Sequence, residues 1–206
     1  MTVTEIRPLD KKRSRLWIDG CASFALYQGE LRRYGIREGE ELAQKTYEEI
    51  LEVLGKRAKL RSMNLLKRAD QTEAGLRRKL KEGFYPQECI EEAVAYVRSY
   101  HYIDDERYAR QYLEIYGKRK SKKQLRQELQ QKGISRELLE QAFEEVRPDE
   151  TSALELLARK RCRGKNLEDP GEYQKQLRYL LSKGYHYEQA AGQLKALRDG
   201  GEEPLF

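Results

Sequence analysis

The chain has 206 residues, of which 38% are apolar and 37% charged, against roughly 45–50% and 25% in an average domain. That shortage of apolar surface excludes one large spherical core and fits several thin ones, as stacked helical units have. The 41 lysines and arginines outnumber the 35 acidic residues, for a net charge of +6, which favours a polyanion or an acidic protein face as partner.

Residues 1–57 read differently from the rest. Leu16 and Ile18 alternate with Arg15, Trp17 and Asp19, and beyond Gly20 Ala22, Phe24 and Leu26 alternate with Ser23, Ala25 and Tyr27. Period-two patterning on both sides of Asp-Gly is a hairpin signal, and Val3 to Ile6 supplies a candidate third strand. Tyr47, Ile50, Leu51 and Leu54 then follow helical spacing.

From residue 58 onward the pattern is helical and repeats. Leu76-Arg77-Arg78-Lys79-Leu80-Lys81-Glu82-Gly83-Phe84 returns as Leu125 to Ile134, and again as Leu177 to Tyr185. The glycines at 83, 133 and 184 recur every 50 to 51 residues, a period of repeated supersecondary units. Each glycine is expected to close a short helix in the left-handed conformation, with Phe84, Ile134 and Tyr185 folding back onto that helix.

Apolar faces flank each phrase. The preceding faces are Met63, Leu66 and Ala69; Tyr108, Tyr112, Ile115 and Tyr116; and Leu154, Leu157 and Ala158. The following ones are Ile90, Val94 and Val97, entered through Pro86; Leu138, Leu139, Ala142, Phe143 and Val146; and Ala190, Ala191, Leu194 and Leu197. Asp70 with Glu73 and Ser121 with Gln124 have capping-box spacing. The expectation is a mainly α, elongated, curved molecule of three tandem three-helix repeats. Repeats at 58–101, 102–147 and 148–198 follow a hairpin-plus-helix extension at 1–57, with a disordered tail at 199–206.

Little in the chain points to catalysis. Neither a dinucleotide-type nor a Walker-type glycine loop occurs. His101 and His186 are the only histidines, and they fall in different repeats. Asp104-Asp105-Glu106 could suggest a metal site, but helix capping suits them better. Cys21, Cys89 and Cys162 lie far apart, without disulfide or zinc spacing, and no run has the roughly 18 apolar residues of a membrane span. No signal-like stretch opens the chain. A reducing cytoplasm, no cofactor, no metal and a monomer are expected.

The basic runs carry more. Lys118, Arg119, Lys120, Lys122 and Lys123 join two helices of the middle repeat, with Arg126 one turn on; Arg159, Lys160, Arg161, Arg163 and Lys165 take the matching place in the third, with Arg178 following. Arg77, Arg78, Lys79 and Lys81 line the short helix of the first. They form either a solvated face or an electrostatic stripe for phosphates or an acidic protein surface. Tyr108, Tyr112 and Tyr116, four apart, have the spacing of a core face more than of a base-stacking platform; Tyr100 and Tyr102 fit either role.

The repeated Leu-Arg phrase, together with Tyr102-Ile103-Asp104-Asp105-Glu106-Arg107-Tyr108-Ala109, resembles the RecX family. The resemblance covers residues 58–198, and residues 1–57 are similar to an extension found in some members. An inserted, proline-containing loop at Asn166 to Gly171 departs from the pattern. The resemblance implies a regulator of the RecA recombinase, working in homologous recombination, DNA repair and the SOS response. Such a regulator lies in the groove of the RecA–single-stranded-DNA filament, restrains strand exchange, ATP hydrolysis and co-protease activity, and has no active site of its own. It also implies contact with single-stranded and double-stranded DNA; DNA binding independent of RecA stays open as the alternative.

Overall fold

The computed structural model describes residues 1–200, as two compact units, Met1–Asp104 and one beginning at Asp105. The fold is mostly helical, with three three-helix repeats and a small N-terminal antiparallel sheet.

In the first unit β1 (Val3–Pro8), β2 (Arg13–Ile18) and β3 (Cys21–Tyr27) pair antiparallel in chain order. Asp19 and Gly20 both have positive φ, 49° and 78°, the two-residue turn whose twist suits a hairpin. Leu16, Phe24 and Leu26 point into the core. Short α1 (Gln28–Arg33) follows, then α2 (Gln44–Arg68), α3 (Glu73–Glu82) and α4 (Gln87–Ser99). The expected boundary between residues 57 and 58 falls inside α2, which runs unbroken for 25 residues. Its inward face is Ile50, Leu54, Ala58, Ser62 and Leu65, and Ala69 is an exposed helix end rather than a core residue.

The second unit contains α5 (Asp105–Tyr116), α6 (Lys122–Gln131) and α7 (Arg136–Val146), then α8 (Glu150–Cys162), α9 (Pro170–Ser182) and α10 (Tyr187–Gly200). Each triplet has its own apolar cluster. One is centred on Leu113, Leu125, Leu129 and Leu139, the other on Leu154, Leu177, Leu180 and Leu194. Ile115 is 61% exposed, and Ala109 and Leu113 take the buried places on α5. Pro170 and Gly171, expected in a loop, open α9, where Asp169 accepts from the amides of Gly171 and Glu172. Proline suits a first helical position because its missing N–H has no partner there in any case. Asp199 and Gly200 belong to α10; the rest of the expected tail lies outside the described residues.

The helix joints correct two details. Ser121 caps α6, accepting from the Gln124 amide, but α3 is capped by Thr72, which accepts from the Gly75 amide, and not by Asp70. Gly133 and Gly184 are left-handed, with φ of 88° and 91°, whereas Gly83 is not: Phe84 takes that conformation, with φ of 60°. Tyr85, not Phe84, packs against the core, its amide donating to the Leu80 carbonyl as those of Ile134 and Tyr185 do to Leu129 and Leu180. Glycine stands three residues after Leu80 but four after Leu129 and Leu180, so the first unit is offset by one.

Candidate partner-binding surface

In the middle repeat the basic run divides into bound and unbound cations. Lys120 is locked in place. Its ammonium pairs with Glu128 at 2.6 Å, lies 4.5 Å from the Tyr116 ring centre and 5.5 Å from that of Tyr112, and donates to the Tyr112 hydroxyl. Burial and the Glu128 carboxylate push the Tyr112 phenol well above its ordinary value. Tyr108 stacks on Tyr112 and Tyr116 tilts against it, and all three are half-buried against the apolar cluster, with Lys132 as a second cation over Tyr108 and Tyr112. Lys118, Arg119, Lys122 and Lys123 are exposed, and their side chains have no ion-pair partner among the described residues.

Two repeats meet beside this run. The Ser121 hydroxyl donates to the Lys183 carbonyl at 2.6 Å, and the Lys122 amide donates to Glu150 at 2.9 Å. The open concavity there, about 660 Å³, is lined by Lys122, Lys123, Arg126, Gln127, Gln130, Glu150, Gly184 and His186. Arg126 faces it only in part, because its guanidinium pairs with Glu140 and lies 4.3 Å over the Phe143 ring. Gln127, Gln130 and His186 had no distinguishing sequence signal. They face the concavity only because two repeats meet there.

In the third repeat Arg159 pairs with Glu155 at 2.8 Å, Lys165 with Glu172 at 3.3 Å, and Arg161 lies 4.7 Å over Tyr179. Lys160 and Arg163 remain exposed without an ion-pair partner among the described residues. Arg178 is exposed, its guanidinium donating to the Gln174 carbonyl.

In the first unit Arg77 clamps α3 to α4, held by Glu73 at 2.9 Å and in two-pronged fashion by Glu91 at 2.7 and 2.9 Å. Those hydrogen bonds, Glu91's first, outweigh desolvation and raise its affinity for the proton. Lys79 donates to Gln71; Arg78 and Lys81 are exposed. This cluster lies on α3 itself. At the α2–α3 joint, where the other two repeats place their basic runs, the chain has only Lys67 and Arg68.

Of the acidic trio, Asp105 and Glu106 occupy the first turn of α5, where the helix dipole favours negative charge. Among the described residues no group of three or more potential ligands could hold a metal ion, and no helix is long and apolar enough to cross a membrane. Tyr100 and Tyr102 are exposed and stacked at 5.8 Å, with Tyr96 5.0 Å from Tyr100.

A short sheet leading into successive three-helix units, with cations gathered at the helix joints, defines a tandem helical-repeat protein. Three family profiles cover those units: the first three-helix domain of RecX over residues 58–96, the second over 104–142 and the third over 149–191. The chain belongs to the RecX family, a family of regulatory proteins. It is 29% identical over 202 residues to the regulatory protein RecX of Clostridium tetani, covering 96% of this chain and 94% of that one. With the regulatory protein RecX of Caldanaerobacter subterraneus it shares 30% over 195 residues, covering 91% and 95%. A crystal structure of regulatory protein RecX matches with a TM-score of 0.58 at 25% identity, over 97% of this chain and 99% of the other. RecX from Lactobacillus salivarius matches in fold, with a TM-score of 0.56 at 19% identity, over 70% and 96%.

Proposed function

We propose that this protein regulates the RecA recombinase by lying along the RecA–single-stranded-DNA filament, restraining strand exchange, ATP hydrolysis and co-protease activity without chemistry of its own. The family resemblance points to that partner. The observation that carries the reading is the cation set left free in the second unit: Lys118, Arg119, Lys122 and Lys123 at one helix joint and Lys160 and Arg163 at the next. Free charges repeated from one helical repeat to the next suit a partner that is itself repetitive, because linked contacts raise effective concentration. The protein acts in the cytoplasm as a monomer.

The test is RecA ATPase on single-stranded DNA, titrated with this protein. Inhibition at stoichiometric amounts is expected; unchanged turnover and unchanged filaments would exclude the reading. The same cations also favour a second reading, binding to bare single- or double-stranded DNA. A steep fall of affinity with salt in the absence of RecA would identify it.

A further inference from the structure

The outer face of the N-terminal sheet gathers charges and aromatic rings. On β2 Arg13, Arg15 and Trp17 alternate with buried Ser14, Leu16 and Ile18. Arg15 stands directly opposite Arg7 of β1, and like charges directly opposite destabilise a strand pair. The Arg7 and Arg15 guanidinium groups lie 4.8 and 5.1 Å from the Trp17 ring centre, and Arg15 is also 4.6 Å from that of Phe84. Arg7 is paired with Glu5, but Arg15 has no carboxylate partner among the described residues, and its Nε is shut off from water without an acceptor. A buried donor left unpaired costs free energy that an oxyanion would recover.

Phe84 adds an independent sign. It occupies the left-handed position that Gly133 and Gly184 fill in the other repeats. A bulky residue is strained there, and the strained backbone sets its ring against Arg15.

We infer that this face, centred on Arg15, Trp17 and Phe84, binds single-stranded nucleic acid. Arg15 and the more exposed Arg7 take phosphate oxygens. A ring face released by a guanidinium takes an unpaired base, which offers a stacking surface that a duplex conceals. The site stands apart from the recombinase reading and from the cations of the second unit.

Trp17 is the only tryptophan in the chain, so its emission reports on this face alone. The full chain, carrying Lys122→Glu and Lys123→Glu to weaken binding by the second unit, is titrated with a short oligothymidylate and, separately, with heparin, a polyanion without bases. No recombinase is present, so this outcome and that of the ATPase titration are independent. Saturable quenching by the oligothymidylate is expected, with a much smaller change in heparin, whose sulfates reach the arginines but bring no base to the Trp17 ring. By anisotropy of a labelled strand, Arg15→Gln should bind about tenfold more weakly, and Phe84→Gly several-fold more weakly. Phe84→Gly relieves the backbone strain, so it decides the matter if circular dichroism shows that Arg15→Gln is unfolded. Absence of quenching, equal quenching by heparin, or undiminished affinity in the folded variants would overturn the assignment.

Discussion

The Ser121 hydroxyl donates to the Lys183 carbonyl at 2.6 Å while accepting from the Gln124 amide at 3.2 Å. One buried oxygen thus caps α6 and ties the middle repeat to the end of α9. Ser121→Ala removes both bonds and leaves the part-buried Lys183 carbonyl short of this donor, at a cost of about 1–2 kcal/mol. Gly184 lies against it: an added Cβ would come 2.9 Å from Ser121 Oγ and 3.0 Å from Lys123 Cβ, at φ +91°. Gly184→Ala should also destabilise. The pair should cost less than the sum of the singles, because the missing hydroxyl relieves one clash. Thermal melts of the three variants measure this; strict additivity would count against it.

Free and bound cations should respond differently to substitution. Lys122→Glu with Lys123→Glu touches two exposed side chains and should weaken filament or DNA binding while moving stability by no more than about 0.5 kcal/mol. Arg126→Glu breaks the pair with Glu140 and the stack on Phe143, so it should lower the melting temperature as well. Binding isotherms read beside circular dichroism separate the two, and equal melting temperatures would refute the distinction.

Gly133 has φ of 88°, a conformation that penalises a β-branched side chain by roughly 1–2 kcal/mol. Gly133→Val should therefore destabilise the middle repeat, seen as a lower urea midpoint. A midpoint equal to that of the parent would show that the helix end can be rebuilt without left-handed backbone.

Glu128 links stability to pH. Burial pushes its carboxyl upward, but hydrogen bonds from Lys120, Tyr112 and Gln124 outweigh it and hold the group below its ordinary 4.5. A carboxylate whose folded value is depressed stabilises the fold above its unfolded value and loses that contribution as pH falls through the folded one. Glu128→Gln should therefore be less stable than the parent near neutrality, and the gap should narrow as pH drops below about 4.5. Melting temperatures of both proteins across that range are the measurement; a gap that stays constant into acid would contradict the assignment.

The hairpin, the helical repeats and most of their apolar faces were readable from spacing, because Asp19-Gly20 and the periodic leucines act locally; Ala69 and Ile115 keep the spacing but stand exposed. Two kinds of information were not. The Gly83 offset turns on one residue of spacing, which aligned glycines conceal. The state of each cation depends on carboxylates from another helix. Arg77 meets Glu91 and Arg126 meets Glu140, each fourteen positions away. That shared interval was a usable signal. Counting seven back from the left-handed residue in the third repeat gives Leu177 rather than Arg178, and fourteen on from there lies Ala191. Both belong to the third repeat's apolar cluster. Polar clamps in two repeats thus give way to greasy packing in the third, and Arg178 falls one position outside the series.

Helix α2 carries a consequence for anyone shortening the chain. Val3, Leu16, Phe24, Ile50, Leu54, Leu76 and Val94 share one apolar cluster, so deleting the extension at residue 57 would sever α2 mid-length and strip the lid from the first repeat. Leu54, now 1% exposed, would be lost with the extension, removing about 1.5–3 kcal/mol of burial by itself. Sheet and first repeat should melt as one cooperative block, with amide protons on both sides of residue 57 exchanging together.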